Sequence, residues 1–485
     1  MRDIIDFVNN IVWSDALVYL CLGTGIYFTV RFGIPQLRYI REMMKLLFSG
    51  SRSSKGISSF QAFSLAISGR VGTGNIAGVA TAIAMGGPGA IFWMWVIAFL
   101  GSSSAIVEAT LGQMYKEVKN GQYRGGPAYY ILKGLRSKVF AWVFAVVTII
   151  STGFLLPGVQ SNSIALASTA SFGLSGSMIG IILVVLLGVI IIGGVKRISR
   201  VAELVVPFMA GAYILMAVII VALNFNQIPD IFSLIIRSAF KMDAAFGGIV
   251  GMAISWGVKR GIYSNEAGQG TAPHAAAAAE VSHPIKQGLV QGFSVYVDTL
   301  FVCTATALMI LFAGQYNVAH PEGGFIVENL PNVQAGPEFT QYAVAHHFPL
   351  IGGGFVALAL FFFAFTTIMA YYYIAETNIS FITGKNKVSF LIWILRALIL
   401  VSVYIGCVTT AEAAWTLGDI GVGLMAWLNL IAIILLHKKV LVLFRDYQEQ
   451  LKMKRDPIFD NSKYNFPNME IWNKEDNLDK KETVK

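Results

Sequence analysis

Arg70-Val71-Gly72-Thr73-Gly74-Asn75-Ile76-Ala77-Gly78 stands in the middle of an apolar segment of membrane-crossing length, from about Phe60 to Ala84. A helix running through lipid has no use for three glycines and an asparagine at its midpoint. Lipid offers freed amides no partner, so broken backbone at that depth must line a protein cavity. A second interruption runs from about Trp256 to Gly270. Two such breaks point to a ligand site at the bilayer midplane. Gly72-Thr73-Gly74-Asn75-Ile76-Ala77 also fits the dinucleotide pattern G-x-G-x-x-A, which needs a preceding strand and an acidic residue about 20 positions on. Here the flanks are apolar and helical, and Met94-Trp95 stands where the carboxylate belongs. The plainer alternative is that these glycines only let helices pack closely.

Composition supports a membrane protein. Of 485 residues, 55% are hydrophobic and 13% charged, against about 25% charged in soluble chains. The net charge of +9 then reads as basic cytoplasmic loops, not nucleic-acid binding. Cys21, Cys303 and Cys407 all lie in apolar runs and read as inert buried thiols. Met1 to Asp15 has no signal-peptide pattern.

Eleven spans are expected. The first covers about Ala16 to Val30, and the others centre near Gly72, Ala98, Ser151, Leu186, Tyr213, Trp256, Thr299, Thr366, Ile399 and Leu428. Alternate loops carry the bases: Arg31 to Lys55 (with Arg52), Lys116 to Lys138, Lys196 to Arg200, Lys286, Lys385 with Lys387, and Lys438 to Arg445. Gln315 to His347 has Glu322, Glu328 and Glu338 but no Lys or Arg. The positive-inside rule therefore puts the N-terminus outside and the C-terminus in the cytoplasm. Arg237 and Lys241 dissent mildly, offset by Asp230 and Asp243. Asp446 to Lys485 reads as a solvated tail with one amphipathic helix near Tyr447 to Lys454.

With the first span set aside, each break opens a group of five spans. Five is odd, so the second group enters the membrane inverted, the pattern of a secondary transporter. The division is residues 1–55 (first helix and basic loop), 56–224 (first repeat), 225–436 (second repeat) and 437–485 (tail).

The half-helix starting near Thr73 presents free amides and a positive dipole end, which suit a carboxylate. Thr73 and Asn75 add side-chain donors and acceptors. Carbonyls released near Arg70 to Gly72 suit a hard cation, and glycine at 72 and 74 lets a ligand approach the backbone. In the second break Trp256 is a candidate pocket wall, and Ser264 or Asn265 a candidate cap. Lys259, Arg260 and Glu266 must face protein or water, either as mutually paired charges in a vestibule or against substrate. Gln160, Ser161 and Asn162 contact either substrate or neighbouring helices. Asp298 lies near mid-span, where a carboxylate is functional by default. It reads either as a cation ligand or as counter-ion to Arg70, Lys259 or Arg260. Glu108 and Glu376, nearer the cytoplasmic span ends, read as ordinarily solvated or paired.

The motifs Val71-Gly72-Thr73-Gly74-Asn75-Ile76-Ala77-Gly78, Gly86-Gly87-Pro88-Gly89-Ala90 and Ser264-Asn265-Glu266-Ala267-Gly268 resemble those of the alanine or glycine:cation symporter family. The resemblance covers about Gly56 to Leu436. It implies an all-α integral membrane protein with a leucine-transporter-like fold of two inverted five-helix repeats plus one N-terminal helix. It implies no enzyme activity and no cofactor. The implied function is uptake of a small neutral amino acid through the plasma membrane, coupled to sodium or to protons. By resemblance Thr73, Gly74 and Asn75, with Trp256 and Gly257, bind the amino acid. Thr366 and Thr367 join first-break carbonyls, such as that of Gly72, around sodium. Gln269 and Gln287 keep glutamine open as substrate, beside alanine and glycine, because some members carry it.

Overall fold

A computed structural model describes residues 2–49, 55–119, 121–240, 246–383 and 388–472. Arg52, Lys241, Asp243, Lys385, Lys387 and the tail beyond Trp472 lie outside those residues. The chain is mostly helical, in the order α1 (Arg2–Val12), α2 (Asp15–Arg31), α3 (Pro35–Arg38), α4 (Ile40–Leu47), α5 (Ser59–Arg70), α6 (Val79–Gly86) and α7 (Gly89–Met114). There follow α8 (Pro127–Leu135), α9 (Lys138–Ile150), α10 (Leu156–Phe172), α11 (Gly176–Ile191), α12 (Gly194–Leu223), α13 (Ile228–Ala239) and α14 (Val250–Asn265). The last third holds α15 (Ala272–Ala278), α16 (Pro284–Tyr296), α17 (Thr304–Ala313), α18 (Pro337–His347), α19 (Gly352–Thr383), α20 (Val388–Val408) and α21 (Ala411–Lys452). Among the described residues, eight helical stretches are long and apolar enough to cross a membrane, and Gly74–Gly86 and Gly176–Ile191 are shorter apolar helices. The chain is a multi-pass membrane protein.

Local sequence explains where these elements start and bend. A reciprocal capping box starts α5, with Gln61 N donating to Ser58 Oγ (3.1 Å) and Ser58 N to Gln61 Oε1 (3.2 Å). Pro127 and Pro284 stand at the starts of α8 and α16, where a missing N–H costs nothing. Pro157 withholds the amide that its helix needs, and a π-helical turn, Ser151–Leu155, precedes it. Two further π-helical turns, Gly74–Gly78 and Val297–Cys303, carry Asn75 and Asp298, and such turns concentrate at functional sites. The buried helix α7 packs along α14 and α16 at the centre.

The structure departs from the sequence reading in three places. Helices are joined by two short antiparallel ribbons, β1 (Glu117–Lys119) with β2 (Gln122–Arg124) and β3 (Asn317–Ala319) with β4 (Phe325–Glu328). The second break is shorter and later than expected: α14 is continuous through Trp256 and Gly257 to Asn265, and the chain is non-helical only from Glu266 to Thr271. Gly257 serves packing instead, since a Cβ there would lie 2.5 Å from Ala90 O and 2.6 Å from Trp93 Cβ of α7. The tail up to Trp472 is docked on the helix ends and not free in solvent, although many of its side chains are exposed. The helix α21 runs on to Lys452, and the chain then folds back over the helix ends. Phe459 N donates to Ser282 O (2.9 Å), Lys286 pairs with Asp456 (2.6 Å), and the fully buried Trp472 donates to Gln113 O (2.9 Å). Aromatic residues at 459, 464, 466 and 472 supply the apolar area that a solvated tail would lack.

Candidate substrate and cation site

At the first break α5 stops at Arg70 and the chain turns at Val71 and Gly72 before the π-helical turn. Asn75 closes this turn on itself. Its Oδ1 accepts from Gly72 N (2.8 Å), and its N donates to Gly72 O (3.2 Å). The Asn75 amide Nδ2 then points away from the break and donates to Asp298 Oδ1 at 2.6 Å. Asp298 is fully buried. It also accepts from Ser264 Oγ (3.1 and 3.0 Å to its two oxygens) and from Thr299 Oγ1 (2.7 Å). Ser264 belongs to the last turn of α14. One carboxylate thus joins the first break to the lip of the second.

Gln160 of α10 closes another side, its Oε1 accepting from Thr73 N (2.9 Å). Thr73 Oγ1 and Tyr263 OH are buried without a hydrogen-bond partner beside it. The backbone at Gly72 must stay bare, because a Cβ would lie 2.5 Å from Thr367 Oγ1 and 2.8 Å from Gln160 Oε1. Ser161 and Asn162 turn to the neighbouring helix α20: Asn162 Nδ2 donates to Gly406 O (3.0 Å) and Thr409 O (2.7 Å).

The two threonines of α19 separate. Thr367 Oγ1 lies 3.3 Å from Val71 O, a carbonyl of the first break. Both hydroxyls donate within their own helix, Thr367 to Phe363 O (2.9 Å) and Thr366 to Phe362 O and Phe363 O (3.0 Å each), but Thr366 otherwise faces Met209 of α12 and not the break. Residues one apart on a helix do not share a face. Of the second-break candidates, Ser264 meets Asp298, while Asn265 Oδ1 accepts from Ala267 N (3.0 Å) inside the break. Neither caps α15.

Lys259 and Arg260 pair with neither Asp298 nor Glu266. Both reach Asp419 of α21, Lys259 at 2.9 Å and Arg260 in bidentate contact at 2.8 and 3.2 Å. Arg260 lies 4.4 Å from the ring centre of Trp415 and 5.1 Å from that of Trp256. Trp256 is therefore part of a cation–aromatic plug, two turns from the break. On the plug's far side a cleft of about 660 Å³ opens, lined by Asp6, Gly336, Glu338, Thr410, Glu412 and Thr416 among others. The sequence reading missed Asp419, which sits in an apolar run with no local partner. Two unpaired bases mid-span, Lys259 and Arg260, were the signal that a buried acid must exist elsewhere.

The sodium:alanine symporter family model matches residues 1–461. The chain belongs to that family. Membership places it among membrane carriers and not among enzymes. A putative sodium/proton-dependent alanine carrier protein of Bacillus subtilis (strain 168), YrbD, is 57% identical over 98% of both chains. The sodium/proton-dependent alanine carrier protein of Bacillus sp. (strain PS3) is 50% identical over 89% of this chain and 97% of its own. A probable sodium/glutamine symporter of B. subtilis, GlnT, is 44% identical over 95% and 93%. Among solved structures, a Na+-coupled sialic acid symporter in a substrate-bound outward-open state superposes with a TM-score of 0.54 at 14% identity, covering 88% of this chain and 86% of that one. That likeness concerns the fold of this family member alone.

Proposed function

We propose that the protein carries alanine, and glycine as its smaller analogue, into the cell with sodium by alternating access. One observation carries the reading: Asp298 binds Asn75 of the first break and Ser264 at the lip of the second at one buried point. Both relatives with the higher identities are alanine carriers by name. On this reading the amino-acid carboxylate replaces Gln160 Oε1 at Thr73 N and meets Thr73 Oγ1. Gln160 then swings to the side chain or ammonium. Sodium is held by Val71 O with Thr367 Oγ1 or by the Asp298 oxygens, both sets of hard oxygen donors. Protons are the alternative coupling ion, in keeping with the sodium/proton names of those relatives.

The layout proposed is that of a leucine-transporter-like fold. Eleven transmembrane helices form two inverted five-helix repeats, residues 56–224 and 225–436, after an N-terminal segment of residues 1–55, with a tail at 437–485. The basic loops set the N-terminus outside and the tail in the plasma-membrane cytoplasm. The cleft beside Glu338 and Glu412 is then an outer vestibule, and the Arg260–Asp419 plug shuts it from the site. Glutamine is the second reading, favoured by the 44% identity to the glutamine symporter.

Radiolabelled alanine uptake into proteoliposomes, with and without an inward sodium gradient and in competition with glycine and glutamine, tests this. Sodium-driven uptake blocked by glycine is expected. Sodium-driven glutamine uptake with poor alanine competition would replace the substrate, and no gradient-driven uptake of any neutral amino acid would overturn the reading.

A further inference from the structure

The second break has its own anion site, and the protein fills it from within. Glu108 of α7 is fully buried. Its Oε1 accepts from Gly268 N (3.3 Å), and its Oε2 accepts from Gly270 N (3.1 Å). Both glycines have positive φ, +82° and +90°, so their amides turn toward one point, an anion-binding concavity of backbone N–H groups. A substrate carboxylate therefore finds this break already occupied.

The same carboxylate reaches a third element. Asn429 of α21 donates through Nδ2 to Glu108 Oε2 (2.7 Å) and to Gly268 O (2.9 Å). Tyr130 of α8 donates its hydroxyl to Asn429 Oδ1. Every polar atom of the Asn429 side chain is thus spent on joining Glu108 and the break to α8. A sequence reader sees only an acid near a span end, yet its ligands are the amides of a helix break 160 residues away.

We propose that Glu108 and Asn429 are positioning residues that latch the cytoplasmic arm of the second break, α15, against α8 and α21. This rests on the alternating-access reading and on the orientation proposed above. Glu108 moves with the break, because it holds two amides inside the turn. Asn429 and Tyr130 stay with the elements on the other side. The Asn429 contacts part when α15 swings to open the inner path, and they reform when it closes. Glu108 touches no transported ligand. Its charge keeps the break's amides pointed inward so that α15 moves as one piece.

The test is the reactivity of a buried position on α15. Ala275 is 5% exposed. In the full-length Ala275→Cys carrier, in inside-out membrane vesicles, a membrane-impermeant cationic thiol reagent is applied and the modified cysteines are resolved by mass spectrometry. Glu108→Gln places an amide NH2 against a backbone N–H, and Asn429→Ala removes the bridge. Each is expected to raise the labelling rate at position 275 about tenfold, which equals about 1.4 kcal/mol. Tyr130→Phe, which keeps the packing, is expected to raise it less. The native Cys21, 3% exposed in α2, reports general loosening and is expected to stay unreactive. An unchanged rate at 275 in Glu108→Gln and Asn429→Ala overturns the latch. So does a rise at 275 that Cys21 matches. Labelling needs no transport, so a failure of the symporter reading, seen as absent alanine uptake by the parent chain, is read separately.

Discussion

Replacing Asp298 by asparagine should weaken sodium binding while leaving the fold intact. Asp298 takes donors from Asn75 (2.6 Å), Thr299 (2.7 Å) and Ser264 (3.0 and 3.1 Å). All are neutral, so the carboxylate is satisfied in hydrogen bonds but not in charge. Asparagine has almost the same shape, and its oxygen still accepts. Its NH2 must face one of the present donors, so one hydrogen bond to a charged group is lost. Such a bond contributes about 1.5–3 kcal/mol. At 1.4 kcal/mol per factor of ten, sodium affinity falls roughly 10- to 150-fold. The assay is the initial rate of alanine uptake into proteoliposomes against external sodium. The half-saturating sodium concentration should rise by that factor, with the rate recovering at saturating sodium. A folded Asp298→Asn carrier whose sodium dependence matches the parent would refute the reasoning.

Thr367→Ala should weaken sodium by roughly 2- to 12-fold, the worth of an ordinary hydrogen-bonding contact of about 0.5–1.5 kcal/mol, while Thr366→Ala should stay within twofold because only the Thr367 hydroxyl lies beside a carbonyl of the break. The same sodium titration checks both, and equal losses would refute the assignment. Asp419→Asn leaves Lys259 and Arg260 buried without their acid, a change costing about 3–5 kcal/mol. Thermal unfolding in detergent should show it, and combining it with Lys259→Met should recover part of the loss. Trp472→Ala should cost about 3–5 kcal/mol as a fully buried aromatic, lowering the melting temperature of the purified carrier. No shift there would mean that the docked tail contributes little.

The spans were legible because a membrane demands long apolar runs, and each expected centre except Gly72 falls inside a helix. The first break was legible for the same reason: three glycines and Asn75 contradict their apolar surroundings. The second was misplaced because Gly257 and Gly261 look like a break but are contacts of α14 with α7. A glycine that frees the backbone and one that admits a neighbouring helix are the same letter. Charge pairing over long separations was the larger loss. Lys259 and Arg260 advertised a missing acid, yet Asp419 lies 159 residues from Arg260. Only the fold, which brings Asp419 of α21 within reach of these two side chains of α14, names it. The tail misled because its mixed charges resemble a solvated segment, while the apolar residues that dock it are scattered singly.

The buried charges around the two breaks also bear on what must be carried. Lys259, Arg260 and Arg70 are cations; Asp419, Asp298, Glu266 and Glu108 are acids, and all seven are at most 9% exposed. The two bases beside Asp419 leave that plug positive, which compensates the single acid it holds with charge to spare. Arg70 spends Nη1 on the uncharged Ser294 Oγ and Gln291 O. With all seven ionised, three cations face four carboxylates. A zwitterionic amino acid adds no net charge, so it cannot correct the deficit by itself. One sodium ion or one proton can. Charge left uncompensated at this depth is costly, so the deficit favours loading of the cation. Asp298 is the acid best placed to receive the cation, because the side chains that donate to it are all neutral.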